Sequence, residues 1–108
     1  MKQLGFVKEL IPLVLSGKKN ITWRRGDDEK NLSSGDIIEC VETKSRKPFC
    51  RIRLISIRDT TFGNIAEDDK KGHETFSSEK EMYNTYSRYF EQKVTEDTAV
   101  KVIKFELI

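Results

Sequence analysis

Apolar positions change their period several times along the chain, and each change predicts an element. Val7, Leu10, Ile11, Val14 and Leu15 recur at the spacing of one helix face. Pro12 interrupts that stretch. Proline is tolerated in a first helical turn and disruptive later, so a short helix is expected to start near Leu10. Gly17 is its natural stop, because glycine enters the left-handed conformation without steric cost. From Asn20 to Arg24 polar and apolar residues alternate. That predicts a strand with Ile21 and Trp23 inward and Asn20, Thr22 and Arg24 on the other face.

Gly26 to Gly35 is polar and reads as a loop, and Asp36 to Val41 as a strand. Lys44 to Lys47 forms a polar connection. From Pro48 onwards Cys50, Ile52 and Leu54 alternate with Arg51 and Arg53, which sends the basic side chains away from the core. After Leu54 the apolar phase slips to Ile55 and Ile57, the sign of a bulge or bend such as curling sheets use. Asp59 to Thr75 is loop-like, with one helical turn around Ile65 to Asp69. Ser78 and Glu81 then stand at capping-box spacing, ahead of Met82, Tyr83, Tyr86, Tyr89 and Phe90 on one helix face. That aromatic stripe is expected to be core packing rather than a base-stacking platform. Val100 to Ile108 closes the chain as a strand. The strands are short and their connections too brief for repeated βαβ units. An α+β fold is expected, with a mostly antiparallel curled sheet or small β-barrel and two or three short helices.

Composition sharpens this picture. With 36% apolar and 35% charged residues in 108 positions, the chain has material for one thin core, so residues 1–108 are expected to form a single domain. Six Phe, three Tyr and one Trp set it apart from disordered sequences. No apolar run approaches the length that spans a bilayer, and the start lacks a signal-peptide pattern, so a cytoplasmic protein without membrane contact is expected. Two cysteines and one histidine do not make a four-ligand zinc site; no metal is expected. Cys40 and Cys50 come opposite each other if their strands form a hairpin, and in a cytosolic protein they read as two small hydrophobes rather than a disulfide. Charge is unevenly spread: residues 1–58 carry +6 and residues 59–108 carry −4. Lys44, Arg46, Lys47, Arg51 and Arg53 lie in a stretch without any acidic residue. They are candidate phosphate contacts for a nucleic acid, and equally a solvated strand face.

The most unusual segment runs from Leu15 to Arg25, where four cations, two hydroxyls and an amide are compressed into a helix-to-strand junction. Lys18 and Lys19 have an ordinary role at a helix C-terminus, and Arg24 and Arg25 at a strand end. The same residues also permit chemistry. A threonine hydroxyl becomes a nucleophile when a base takes its proton, and a lysine serves as that base if burial or neighbouring cations lower its pKa. Periodicity does not single out the carboxylate that would complete such a site.

The apolar pair before Gly17, the spacing Gly17-x-Lys19-x-x-Thr22-x-Arg24 and the later Ser34-Gly35-Asp36-Ile37-Ile38 resemble the ASCH (ASC-1 homology) domain family. That family is related to the PUA fold, a β-barrel common in RNA-binding and RNA-modifying proteins. The resemblance continues more loosely through His73 to Ser78 and the aromatic helix. A bacterial branch of similar length comprises N4-acetylcytidine amidohydrolases. By that resemblance Thr22 is the expected nucleophile, Lys19 its base and Glu74 an acid that handles a proton or orients substrate. Lys18, Asn20, Trp23 and Arg24 would contact the modified nucleoside, with Trp23 or Tyr83 packing against its base. No cofactor is implied, and His73 has no matching role. The alternative is a non-catalytic RNA- or nucleotide-binding ASCH module that uses the basic cleft and strand face.

Overall fold

The computed structural model describes residues 1–29 and 31–108. Strand β1 (Gln3–Phe6) is followed by a single 3-10 turn and α1 (Ile11–Leu15), then by β2 (Ile21–Arg25), β3 (Ile37–Glu42) and the long β4 (Pro48–Thr61). Helices α2 (Glu67–Lys71) and α3 (Glu79–Phe90) lead to the closing strand β5 (Ala99–Leu107). The sheet order is β1-β3-β4-β5-β2, with β1 parallel to β3 and the other pairings antiparallel. The chain is α+β. Of the two forms the pattern allowed, it takes the curled sheet and not the closed barrel. The edges β1 and β2 meet through side chains instead of backbone: the Arg24 guanidinium sits 4.8 Å over the Phe6 ring.

Strand β1 is an element that the helical reading of Val7 to Leu15 obscured. Leu4 and Phe6 alternate with Gln3 and Gly5, and both apolar residues are buried. Val7 follows that strand as the cap of the 3-10 turn rather than opening the helix stripe. Pro12 occupies the first turn of α1, and Gly17 stops the helix at φ +80°. The bulge after Leu54 is present: Leu54 faces Phe105 while Ser56 faces Lys104, which leaves Ile55 as the extra residue. Ile55 consequently points outward, half exposed, and does not join the core as the phase slip suggested.

Strand β5 serves two cores. Ile103 and Phe105 pack with Leu4, Phe6, Ile38, Cys40, Ile52 and Leu54, while Val100 and Val102 pack with Ile21, Trp23, Phe62, Met82, Tyr86 and Phe90. Alternate side chains leave a strand on opposite faces, so a strand apolar at both parities belongs in the middle of such a sheet. Cys40 and Cys50 are register partners and both are free thiols. Helix α3 begins at the expected cap, where the Ser78 hydroxyl accepts the Glu81 amide. The reciprocal half of the box is displaced by one residue, since Glu81 takes the amide and hydroxyl of Ser77. No helix among the described residues is long and apolar enough to cross a membrane.

Candidate active site

The gap between the sheet edges is a cleft of about 360 Å³, a size that suits a small organic molecule. Gly5 and Phe6 of β1, Thr22 and Arg24 of β2, and Tyr86 and Tyr89 of α3 all line it. Strand β2 is buried on both faces. Ile21 and Trp23 enter the second core, and Thr22 and Arg24 turn to the cleft.

Lys19 and Glu74 meet here across 55 positions of sequence: Lys19 Nζ donates to Glu74 Oε2 at 2.6 Å and to the carbonyl of Ile21 at 2.8 Å. The backbone explains the encounter. Both Asn20 and Ile21 donate their amides to the carbonyl of Gly72, which ties the loop carrying Glu74 to the start of β2. A side chain there would force a rearrangement, because a Cβ on residue 72 would come within 1.7 Å of Asn20 Oδ1 and push that side chain aside. The tie also closes the Lys19 side chain off from solvent, leaving it 2% exposed. Burial lowers the Lys19 pKa to about 8, although the Glu74 carboxylate opposes the shift. Thr22 is buried as well, and its Oγ1 accepts Arg24 Nε at 3.1 Å. Burial lowers the pKa of Arg24 in turn, with Glu29 pulling the other way; a guanidinium stays charged regardless. The cleft therefore holds an amine lowered to about 8, bonded to Glu74 and Ile21 rather than to Thr22, and a hydroxyl whose oxygen already receives a cationic donor. These groups suit proton abstraction and stabilisation of a developing negative charge.

Other site candidates lie elsewhere. Lys18 and Asn20 line a separate hollow with Gly17, Lys71, Gly72 and Lys104. Asn20 precedes β2, so the strand alternation expected to align it with Thr22 does not extend that far. Trp23 is 4% exposed at the back of the cleft, with His73 stacked on it at 3.7 Å between ring centroids. Tyr83 packs against the second core; Tyr86, a member of that core about one helical turn on, and Tyr89, nearly two turns on, reach the cleft. Lys44, Arg46 and Lys47 occupy the exposed β3–β4 connection, and Arg51 and Arg53 the outer face of β4. Arg53 is paired with Glu106 at 2.8 Å, Arg51 lies opposite Glu39, and Arg46 donates to Gln3.

The sequence reading missed His73. It is buried, with Nδ1 2.8 Å from the Glu74 carbonyl and Nε2 2.6 Å from the Tyr86 hydroxyl. A lone loop histidine gives no periodic signal, so only the contact reveals it. Asp28 and Glu29, from the loop after β2, also line the cleft and were equally silent. Among the described residues no cluster of His, Cys, Asp and Glu is suited to a metal ion.

Solved structures share this arrangement of elements. The ASCH domain of Lactobacillus crispatus JV V101 superposes with a TM-score of 0.71 at 15% identity, covering 98% of this chain and 79% of that one. The fold is that of the ASCH domain. ASCH from Zymomonas mobilis matches with a TM-score of 0.68 at 17% identity, over 98% of this chain and 68% of that chain. The hypothetical protein PH0355 matches over 100% of both chains, with a TM-score of 0.75 at 25% identity. No family model matches the sequence, and no curated protein matches it. The ASCH architecture is thus recognisable by shape at identities where sequence comparison is silent.

Proposed function

We propose that the protein is a small amidohydrolase that removes the acyl group from a modified nucleoside such as N4-acetylcytidine. One observation carries the reading: a buried lysine amine, lowered to about 8, shares a cleft with a buried threonine hydroxyl held by a guanidinium. In the reaction Lys19 takes the Thr22 proton as Oγ1 bonds to the acyl carbon. The oxyanion that forms is stabilised by the Arg24 guanidinium. The C–N bond then breaks, and the proton held on Lys19 passes to the departing amine of the nucleoside. A water molecule, deprotonated by the same lysine, hydrolyses the acyl-threonine and releases the carboxylic acid. Glu74 holds the lysine in place and carries the counter-charge while Nζ is protonated. Tyr86 and Tyr89 supply aromatic surface for a base.

The cleft also suits a nucleotide-binding module without turnover. Catalysis is favoured because the Lys19 amine is buried against a carboxylate rather than open to a ligand anion, and its lowered pKa gives it a neutral fraction able to take a proton. Purified protein mixed with N4-acetylcytidine should release cytidine and acetate, followed by chromatography. Thr22→Ala should lower kcat/KM by about a thousandfold or more while leaving the fold intact. Binding of the nucleoside without release, or undiminished turnover by Thr22→Ala, overturns the assignment.

A further inference from the structure

The neighbours of Glu74 on its side away from Lys19 form an arrangement that the reaction above does not use. The ring of His73 is stacked on Trp23 at 3.7 Å, with Phe76 tilted towards it at 6.1 Å, and both ring nitrogens are engaged, so it does not swing freely. Its Nδ1 faces the Glu74 carbonyl, which can only accept, so Nδ1 carries the proton. Nε2 of the neutral ring is then a bare acceptor, and the Tyr86 hydroxyl donates to it at 2.6 Å. Glu74 Oε1 lies 3.2 Å from the same Nε2. Neither partner of that last contact has a hydrogen to give while Glu74 is ionised, so it is no bond. Among the described residues the carboxylate has a donor on one side only, at Lys19 Nζ.

We propose that Tyr86 is a positioning residue: by occupying Nε2 of His73 it keeps the imidazole neutral and leaves Glu74 the dedicated partner of Lys19. This rests on the reading of Lys19 as the base for Thr22. Without the hydroxyl, Nε2 is free to bind a proton and donate it as a hydrogen bond to Oε1, so an imidazolium would compete with the lysine for the carboxylate. The charged groups bearing on the ring are Lys19 and Arg24 from the β2 side and Glu74 from its own loop, with Tyr86 the titratable group from α3. Burial and the Lys19 charge together hold His73 down to about 4.

The chain has a single histidine, so its imidazole nitrogen signals need no sorting. The ¹⁵N spectrum of the intact protein should show a neutral ring protonated at Nδ1, unchanged down to about pH 5. In Tyr86→Phe, which keeps the core ring, the imidazole should titrate at a higher pH. The lysine Cε signal absent from Lys19→Met should then show a second step at the midpoint of the imidazole titration, as competition of the imidazolium for the shared carboxylate requires. In a Glu74→Gln background the same Tyr86→Phe change should leave that lysine unmoved. A ring protonated at Nε2, or identical histidine and lysine titrations in Tyr86→Phe, overturns the proposal. The acid limb of kcat/KM on N4-acetylcytidine should follow the lysine. If the titrations move as described while no acylated nucleoside is turned over, the amidohydrolase reading falls and the positioning role stands.

Discussion

The cleft and the β3–β4 hairpin use the same cations to opposite ends. At the cleft Lys19 is 2% exposed and bonded to a carboxylate that itself retains only 18% of its side-chain surface. On β4 the guanidinium of Arg53 and its partner Glu106 are each half exposed, and the lysines of the hairpin stand in solvent. Desolvation multiplies what a charge does to its neighbours, while water and salt dilute it. Charge density along the chain and charge burial therefore pick out different regions. The stretch richest in cations stands in solvent, whereas the reactive group of the proposed mechanism is one lysine withdrawn from it.

Four measurements press on this contrast. The largest effect is expected from Lys19→Ala, which leaves Glu74 without its partner. It should cost about 3 kcal/mol in urea unfolding, the low end for a broken buried pair because Glu74 keeps some water, and should abolish turnover. Gly72→Ala comes next. The new methyl must displace Asn20, and a loss of about 2 kcal/mol is expected together with a looser Lys19–Glu74 pair, seen as faster amide exchange at Asn20 and Ile21.

The third prediction concerns pH. His73 is held at about 4 in the fold against 6.5 when free, so between these values the unfolded chain binds more protons. Stability should fall as pH drops from 6.5 towards 4, and His73→Gln should remove that dependence. For Lys19 the window lies between about 8 and 10.5, where the unfolded chain again binds the extra proton, so its contribution grows as pH rises through that range. The smallest effect belongs to the hairpin. Neutralising Lys44, Arg46, Lys47 and Arg51 singly should change stability by less than about 0.5 kcal/mol and leave kcat/KM on a free nucleoside within twofold. Steep salt-dependent RNA binding that these substitutions erase would give the outer face a role of its own.

Much of this was legible along the chain. The short helix with Pro12 in its first turn, the strand through Thr22, the bulge after Leu54 and the cap at Ser78 follow from local patterns, because each depends on residues within a few positions of one another. Strand β1 was hidden, since four residues carry too brief an alternation and its last apolar residue runs into a helical spacing. His73 was invisible for another reason: nothing about a loop histidine shows that a tryptophan will cover it or a tyrosine donate to it.

The amino-acid order by itself determined most of the elements, β1 excepted, and through its family resemblance named Lys19, Thr22, Arg24 and Glu74 as residues to examine. Local periodicity and φ preferences act over a turn or a strand, and a family motif preserves spacing. Folding alone decided that the sheet stays open between β1 and β2, that Gly72 ties the Glu74 loop to the start of β2, and that Lys19 loses its water there. Those outcomes depend on contacts between segments more than 50 positions apart and on the field inside a cleft, both of which exist only once the chain has packed.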